Sequence, residues 1–525
     1  MNTKVIVKKS TYRDSISLMK ISNTIAKLPG ITQAAVVMAT ELNRRVLYEA
    51  GFVDAAIGSA ASSDMIVAIE AKDPASLDAA SIELEKLLSP GEKPEGEKAA
   101  PTSLEEALEL MPDANLAVIS VPGQFAKREA MKALNKGLNV FLFSSNVTRE
   151  DEVDLKNVAK EKGLLLMGPD CGTSIINHKV LGFGNTIREG TIGLVSASGT
   201  GLQEVTTLIH KAGLGISQAI GTGGGDLSEE VGGITMIQGF KLLEADKQTE
   251  VIALISKPPS LGTMEKLFDV ARQSRKPVVI NFLGGDIDRR MLGKLRSAST
   301  LDEAARVACE LAGMKPMIAT GVIPREIISI ALAEHNKLAK SQQYIRGLFA
   351  GGTLCYESEI LLQPLIGQVF SNAPLKPEDK VPGDVPSKKN VCIDMGAEEF
   401  VEGRAHPMID FTLRNMRIIQ EARDPETAVI LIDVELGYGS NADPAGQLVP
   451  FIQKAKGLAE EAGRYLPVVA SVVGTEGDFQ GLAKQEKALS DAGVLIMPSN
   501  AQATQVSAVI AAGEKAEAAI LGRSN

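Results

Sequence analysis

The chain has 525 residues, too many for a single core when roughly 150 residues make a domain, and its 44% hydrophobic and 23% charged residues exclude a disordered or fibrous chain. With 65 acidic against 55 basic residues the net charge is −10, which leaves no basic field for phosphate backbones and argues against a nucleic-acid partner. The near absence of aromatic residues, with no Trp, beside abundant small aliphatic ones points to α/β structure with parallel sheets. The amino terminus reads as a strand without an apolar leader, and no stretch reaches about 18 apolar residues, so a cytoplasmic protein with no membrane partner is expected. The four Cys (171, 309, 355, 392) and four His (178, 210, 335, 406) are dispersed without metal-ligand spacing, so no metal is expected.

Strand patterns at 4–8, 32–38 and 65–70 alternate with helical ones near 14–28, 40–50 and 75–88, giving a small α/β domain over 1–90. A Pro-, Gly- and charge-rich stretch follows, expected as a linker over 91–102. Residues 103–189 then read as a βαβαβ run, a Rossmann-like domain, with strands at 115–121, 138–143 and 164–167.

The rest holds an internal repeat. Ile192-Gly-Leu-Val-Ser before Ser198-Gly-Thr-Gly matches Ile345-Arg-Gly-Leu-Phe before Gly351-Gly-Thr-Leu. Thr249 to Ser256 matches Glu426 to Asp433, and Lys276 to Phe282 matches Leu466 to Val472. The spacing widens along the chain, which places inserted loops around 370–390 and 400–415. Two tandem flavodoxin-like domains are expected, over 190–320 and 342–525.

Each copy opens with a strand, a Gly- and Thr-containing turn, and a helix. Free N–H groups and the positive end of the helix dipole make such turns anion sites, so Ser198, Gly199, Thr200 and Gly201 in the first copy and Gly351, Gly352 and Thr353 in the second are candidate phosphate ligands. The plainer alternative is a tight turn that needs small residues. Residue 204 is Glu, so Gly-x-Gly-x-x-Gly is incomplete, and no P-loop occurs. Gly223, Gly224, Asp226, Lys257 and Gly396 follow apolar strands, where α/β sheets form ligand crevices, and complete the candidate set.

Gly168-Pro-Asp-Cys-Gly172, Gly193 to Thr200 with Glu204, and Ile220 to Asp226 resemble the α subunit of succinyl-CoA synthetase. Gly347 to Gly352, Ile393-Asp-Met-Gly396 and Asp424 to Asp433 resemble the carboxy-terminal domain of its β subunit. Through Ser15 to Met19, Met167 to Ser174, Ser256-Lys-Pro-Pro259 and His406-Pro-Met-Ile-Asp410 with Thr412 and Arg414, the chain is identified as a member of the FdrA family of acyl-CoA-synthetase-like proteins, YahF-like members included. Phe411 stands where much of that family carries Pro.

Against the synthetase, the phospho-histidine is missing, since no His lies between His210 and His335, and no segment resembles an ATP-grasp domain. The Gly-rich loop that receives CoA is replaced, which counts against CoA while leaving it a candidate. No other cofactor is implied. A protein that keeps both anion turns but cannot phosphorylate a carboxylate is expected to use a ready-made acyl phosphate, such as carbamoyl phosphate, or to react with phosphate in reverse. The FdrA resemblance implies two family-specific partner proteins, with a homodimer as a further option, and for some members carbamoyl transfer between oxamate and oxalurate in ureide degradation. A subunit of an ADP-forming acyl-CoA ligase and a non-catalytic scaffold are the alternatives. His406 and Arg414 are the candidate catalytic side chains, His moving a proton and Arg gripping a carboxylate. The plainer reading has Asp410 capping a helix through Arg414 and His406 packing in the loop.

Overall fold

In the computed structural model, which describes residues 2–89, 101–285, 295–313 and 323–522, the amino-terminal segment builds an antiparallel sheet of β1 (Asn2–Lys8), β2 (Ile31–Met38) and β3 (Met65–Ala71), in the order β1-β3-β2. Asp14 and Asp73 cap helices Ser15–Ala26 and Pro74–Leu88, accepting from the N–H groups of Ser17 and Ser76. These helices bury Leu18, Ile25, Ala80 and Leu84 on one sheet face, while Leu47, Phe52 and Ile57 cover the other. The linker expected at 91–102 lies almost wholly outside the described residues.

This unit, the described part of Met1–Ala100, also contains Gly396–Leu413. The excursion differs from the expectation that 342–525 stays together, and its cause is visible at one buried residue. Asn43 donates to Gly403 O (3.2 Å) and accepts from Arg404 Nη1 (2.8 Å).

The second unit, the described part of Pro101–Met395 with Arg414–Asn525, holds three sheets. β4 (Leu116–Ile119), β5 (Asn139–Leu142) and β6 (Leu166–Met167) form a short parallel one. The hairpin β7 (Thr173–Ile176) and β8 (Lys179–Gly182) was expected within this Rossmann-like part but leaves it, pairing antiparallel with the next sheet, where Ser174 Oγ accepts from Gly221 N (2.9 Å). That sheet comprises β9 (Glu189–Ser196), β10 (Ile216–Gly221), β11 (Val251–Ser256), β12 (Val278–Phe282) and β13 (Arg296–Ser297). The third comprises β14 (Tyr344–Phe349), β15 (Val369–Ser371), β16 (Asn390–Asp394), β17 (Thr427–Glu435), β18 (Val468–Val473) and β19 (Val494–Met497).

The orders β13-β12-β11-β9-β10-β7-β8 and β15-β16-β14-β17-β18-β19 are both the flavodoxin order once the hairpin and β15 are set aside. β9 and β14, β11 and β17, and β12 and β18 occupy equivalent places, so the sequence repeat is a structural one. The two lobes do not fold around separate cores. Leu202, Val205 and Ile209 of the first share a single apolar cluster with Leu354, Leu362, Val506 and Val509 of the second, because helices Gly199–Lys211, Leu301–Leu311, Gly352–Ile366 and Asn500–Ala512 are apolar on more than one side.

Candidate functional site

The two repeated turns meet inside the second unit. Ser198 Oγ and Thr353 Oγ1 are 2.6 Å apart and both nearly buried. A Cβ on Gly351 would stand 3.0 Å from Thr200 Cβ, and one on Gly201 would stand 3.2 Å from Thr353 Cγ2, so glycine is what lets the turns touch. Helix Gly199–Lys211 is capped by Ser198, whose Oγ accepts from Gly201 N (2.9 Å), which leaves the N–H groups of Gly199 and Thr200 at the junction. Helix Gly352–Ile366 has no side-chain cap of its own, and its first turn adds the N–H groups of Gly352, Thr353 and Leu354. Gly199, Thr200 and Gly352 are only half-buried, so the junction opens to solvent.

The hairpin that left the short sheet closes one side. A Cβ on Gly199 would lie 3.6 Å from Gly172 Cα and 3.4 Å from Thr173 Oγ1. That hydroxyl is buried and has no hydrogen-bond partner among the described residues. A buried hydroxyl without a partner costs free energy, and here it is aimed at a helix N-terminus.

The second turn is already partly satisfied by the protein. Asp433, at the carboxy-terminal end of β17, accepts from Ala350 N (2.8 Å) and Gly351 N (2.7 Å). Arg414 is wholly buried and donates to Asp433 Oδ1 (2.8 Å) and Asp433 O (2.9 Å). Arg414 was expected to grip a substrate carboxylate; instead it is wholly buried, with its Nη1 committed to Asp433, where it positions the turn. Glu435, buried two residues on, has its carboxyl pushed well above the usual range by burial and by the Asp433 charge.

Deeper in, the lobes exchange caps. Glu204 of the first lobe accepts from Asn500 N (3.0 Å), at the start of the last major helix of the second lobe. Glu357 of the second lobe accepts from Leu301 N (2.7 Å), at the start of the last described helix of the first lobe's sheet, and from Asn500 Nδ2 (2.8 Å). Burial, with Asp302 nearby, pushes Glu204 up to about 7 and Glu357 up to about 8.

His406 and Arg414 fall in different units. His406 belongs to the first unit, where its Nδ1 accepts from Met408 N (3.3 Å) and its carbonyl from Ile409 N and Asp410 N. Asp410 accepts from Thr412 N (3.0 Å) and Arg404 Nη2 (3.0 Å), which is the plainer capping arrangement. Gly396 opens that same excursion, at the start of Gly396–Leu413 in the first unit. Asp226 is likewise corrected. It is fully buried, binds Lys156 Nζ (2.7 Å) and caps helix Ile234–Ala245 through Thr235 N and Met236 N. Gly223, at φ 81°, seats tightly on Pro169 O, and only Gly224 is exposed, 4.0 Å from Asp170 Oδ2 by its Cβ position. Lys257, at the end of β11, lies 4.7 Å over the Tyr356 ring, one helical turn beyond Gly352.

Three residues in quoted motifs escaped selection. Thr173 shows its role only through its orphaned hydroxyl. Asp394 presents its carboxylate 2.5 Å from the Cβ position of Gly352. Asp170 is open to solvent yet set deep among protein atoms, and burial with the charges of Glu152 and Asp394 pushes its carboxyl up to about 6. Cys171 is buried and its thiol is pushed up to about 11, which suits a packing role and not a nucleophile.

Comparison with known proteins adds the following. Residues 348–510 match the CoA-ligase family, 187–284 the CoA binding domain, and 1–103 the AllF, heavy metal-associated domain. Residues 1–103 contain neither Cys nor His, so the segment matched by the last description lacks the ligands that a heavy metal prefers. The uncharacterized protein YahF of Escherichia coli (strain K12) is 45% identical over 502 residues, 95% of this chain and 97% of that protein. Succinate–CoA ligase [ADP-forming] subunit alpha 2 of Archaeoglobus fulgidus is 32% identical over 171 residues, 32% of this chain and 58% of that subunit. The solved dinucleotide-forming acetyl-coenzyme A synthetase 1 of Ca. Korarchaeum cryptofilum aligns with 78% of this chain and 85% of its own at 17% identity and a TM-score of 0.29.

At the first βα turn of the short sheet a Cβ on Gly123 would lie 2.2 Å from Asn146 O, so only glycine fits at the start of helix Gly123–Asn135.

Proposed function

This chain belongs to the FdrA family of acyl-CoA-synthetase-like proteins, among its YahF-like members, and from that premise we propose that it is the acyl-phosphate-handling subunit of a carbamoyltransferase complex. The observation that carries the reading is the meeting of two helix N-termini, with the orphaned Thr173 hydroxyl aimed at one of them. Five N–H groups, the Thr173 hydroxyl and the one proton left over by the Ser198–Thr353 hydroxyl pair form a donor set suited to a phosphoryl group. The donors are fixed before the reaction, so they stabilise charge on the leaving phosphate without reorganising.

Carbamoyl phosphate is the proposed donor and an oxamate-like amide the acceptor, with two family-specific proteins completing the complex in the cytoplasm, in ureide breakdown. An acyl phosphate has an activated carbonyl, so positioning and charge stabilisation are the main demands on the protein. Lys257, beside Tyr356 on the second helix, is the cation that can meet a carboxylate or phosphate at the rim. The likeness to a succinate–CoA ligase α subunit favours a second reading, a ligase subunit whose ATP-binding part is on another chain.

The test is phosphate release from carbamoyl phosphate by the complex purified from its native host. Release that requires oxamate supports the transferase; thioester formation requiring ATP and CoA, without oxamate-dependent release, selects the ligase.

A further inference from the structure

The paired helix starts are flanked by a carboxylate from each lobe. On the first side, residues 172–173 lie directly on the helix start, two residues after Asp170: Gly172 Cα is 3.6 Å and Thr173 N 3.8 Å from the Cβ position of Gly199. Asp170 sits at the tip of that segment at φ 55°, its N–H fixed on Ser144 O (2.9 Å), so the backbone holds the side chain where it is. On the second side, Asp394 ends β16, tied through its backbone to Asn372, with its carboxylate against Gly352. Each carboxylate feels the charge of the other. Beside the Gly199 helix start stands the buried Thr173 hydroxyl, orphaned among the described residues, which points to a ligand independently of the carboxylates.

Resting on the acyl-phosphate reading above, we propose that Asp170 is the catalytic acid–base of the transfer and Asp394 its proton partner. In the direction that makes acyl phosphate, an oxygen of hydrogen phosphate attacks the acyl carbon of the N-acyl amide, its proton passes to the Asp394 carboxylate, the C–N bond breaks, and Asp170 gives its proton to the departing amide nitrogen. In reverse the amide nitrogen attacks, the C–O bond to phosphate breaks, Asp170 takes the nitrogen's proton, and Asp394 returns one to the phosphate. The groups around Asp170 suit this cycle. Glu152 on helix Arg149–Glu161 and Asp394 oppose its ionisation, Cys171 beside it is a neutral thiol, and Lys156 and Arg149 are engaged with Glu152. A carboxyl titrating near 6 exchanges protons readily at neutral pH.

Two measurements on the full complex test this. Asp170→Asn should lower kcat with carbamoyl phosphate and oxamate at least 100-fold and remove the limb of the pH profile near 6, while inorganic phosphate binds within twofold of wild type; Asp170→Glu should recover part of the rate. Calorimetry of phosphate binding at pH 7, in buffers of different ionisation heat, should show more proton uptake by wild type than by Asp170→Asn, because an arriving anion raises the carboxyl's proton affinity further. Unchanged kcat and pH profile, or equal proton uptake, would overturn the assignment of Asp170. Failure of wild type to bind phosphate at all would instead sink the reading on which it rests.

Discussion

The two repeated helix starts share a fold and differ in how their N–H groups are satisfied. The first is capped by a neutral hydroxyl, Ser198, and is packed against residues 172–173; the second leans on a carboxylate, Asp433, that is itself held by a buried arginine. A duplicated scaffold has thus been given two electrostatic characters. The neutral side leaves the dipole of its helix open to an incoming anion, while the charged side fixes the geometry of the turn and already neutralises part of its own field. On the proposed reading, an anion arriving at the junction would be drawn chiefly by the first helix and shaped by the second.

The comparison breaks most visibly at Arg414. Arg414→Met leaves Asp433 ionised and buried next to Glu435, and the loss should be about 3–5 kcal/mol in chemical denaturation, with much of it restored by adding Asp433→Asn. A mere surface role would cost a few tenths.

The exchanged caps give a pH signature. Glu357 is raised in the folded state to about 8, so the native protein holds a proton there that the unfolded chain releases above its ordinary carboxyl pKa. Stability is then greatest at low pH within this window and falls as pH rises from about 4.5 towards 8, with a slope approaching 1.4 kcal/mol per pH unit. Glu357→Gln should flatten that slope in denaturant titrations between pH 5 and 8; an unchanged slope would show that Glu357 is ionised throughout. The smallest effect is expected at the neutral cap. Ser198→Ala should cost about 1 kcal/mol in thermal unfolding, well below the Arg414 variant, because a hydroxyl cap carries no charge to strand.

Much of this frame was legible in the sequence. The repeat was visible as matched strand, turn and helix patterns, and both sheets have the strand order those patterns imply. The stripe Leu202, Val205, Leu208, Ile209 is buried, and Gly213 ends its helix segment at φ 93°. The candidate side chains were harder to read. Arg414 and Asp226 have the residue types of ligand-binding groups, yet each meets its charge partner in a distant strand or helix, Asp433 and Lys156, and pairing across such separations leaves no local pattern. His406 was grouped with Arg414 because both follow one strand, but the chain changes unit between them. Asp170 and Thr173 stood inside a recognised motif, and their importance arises only because the hairpin crosses from one sheet to the next.

The central claim is that the paired helix starts bind a phosphoryl group, and the most direct measurement is a calorimetric titration of the intact protein with inorganic phosphate, beside Gly351→Val. A side chain at 351 would meet Thr200 at 3.0 Å and Asp433 at 3.1 Å, forcing the turns apart. The account predicts saturable binding at one site per chain, weakened at least tenfold by the variant while its thermal unfolding stays cooperative. No binding by the wild type, or equal binding by the two proteins, would contradict it.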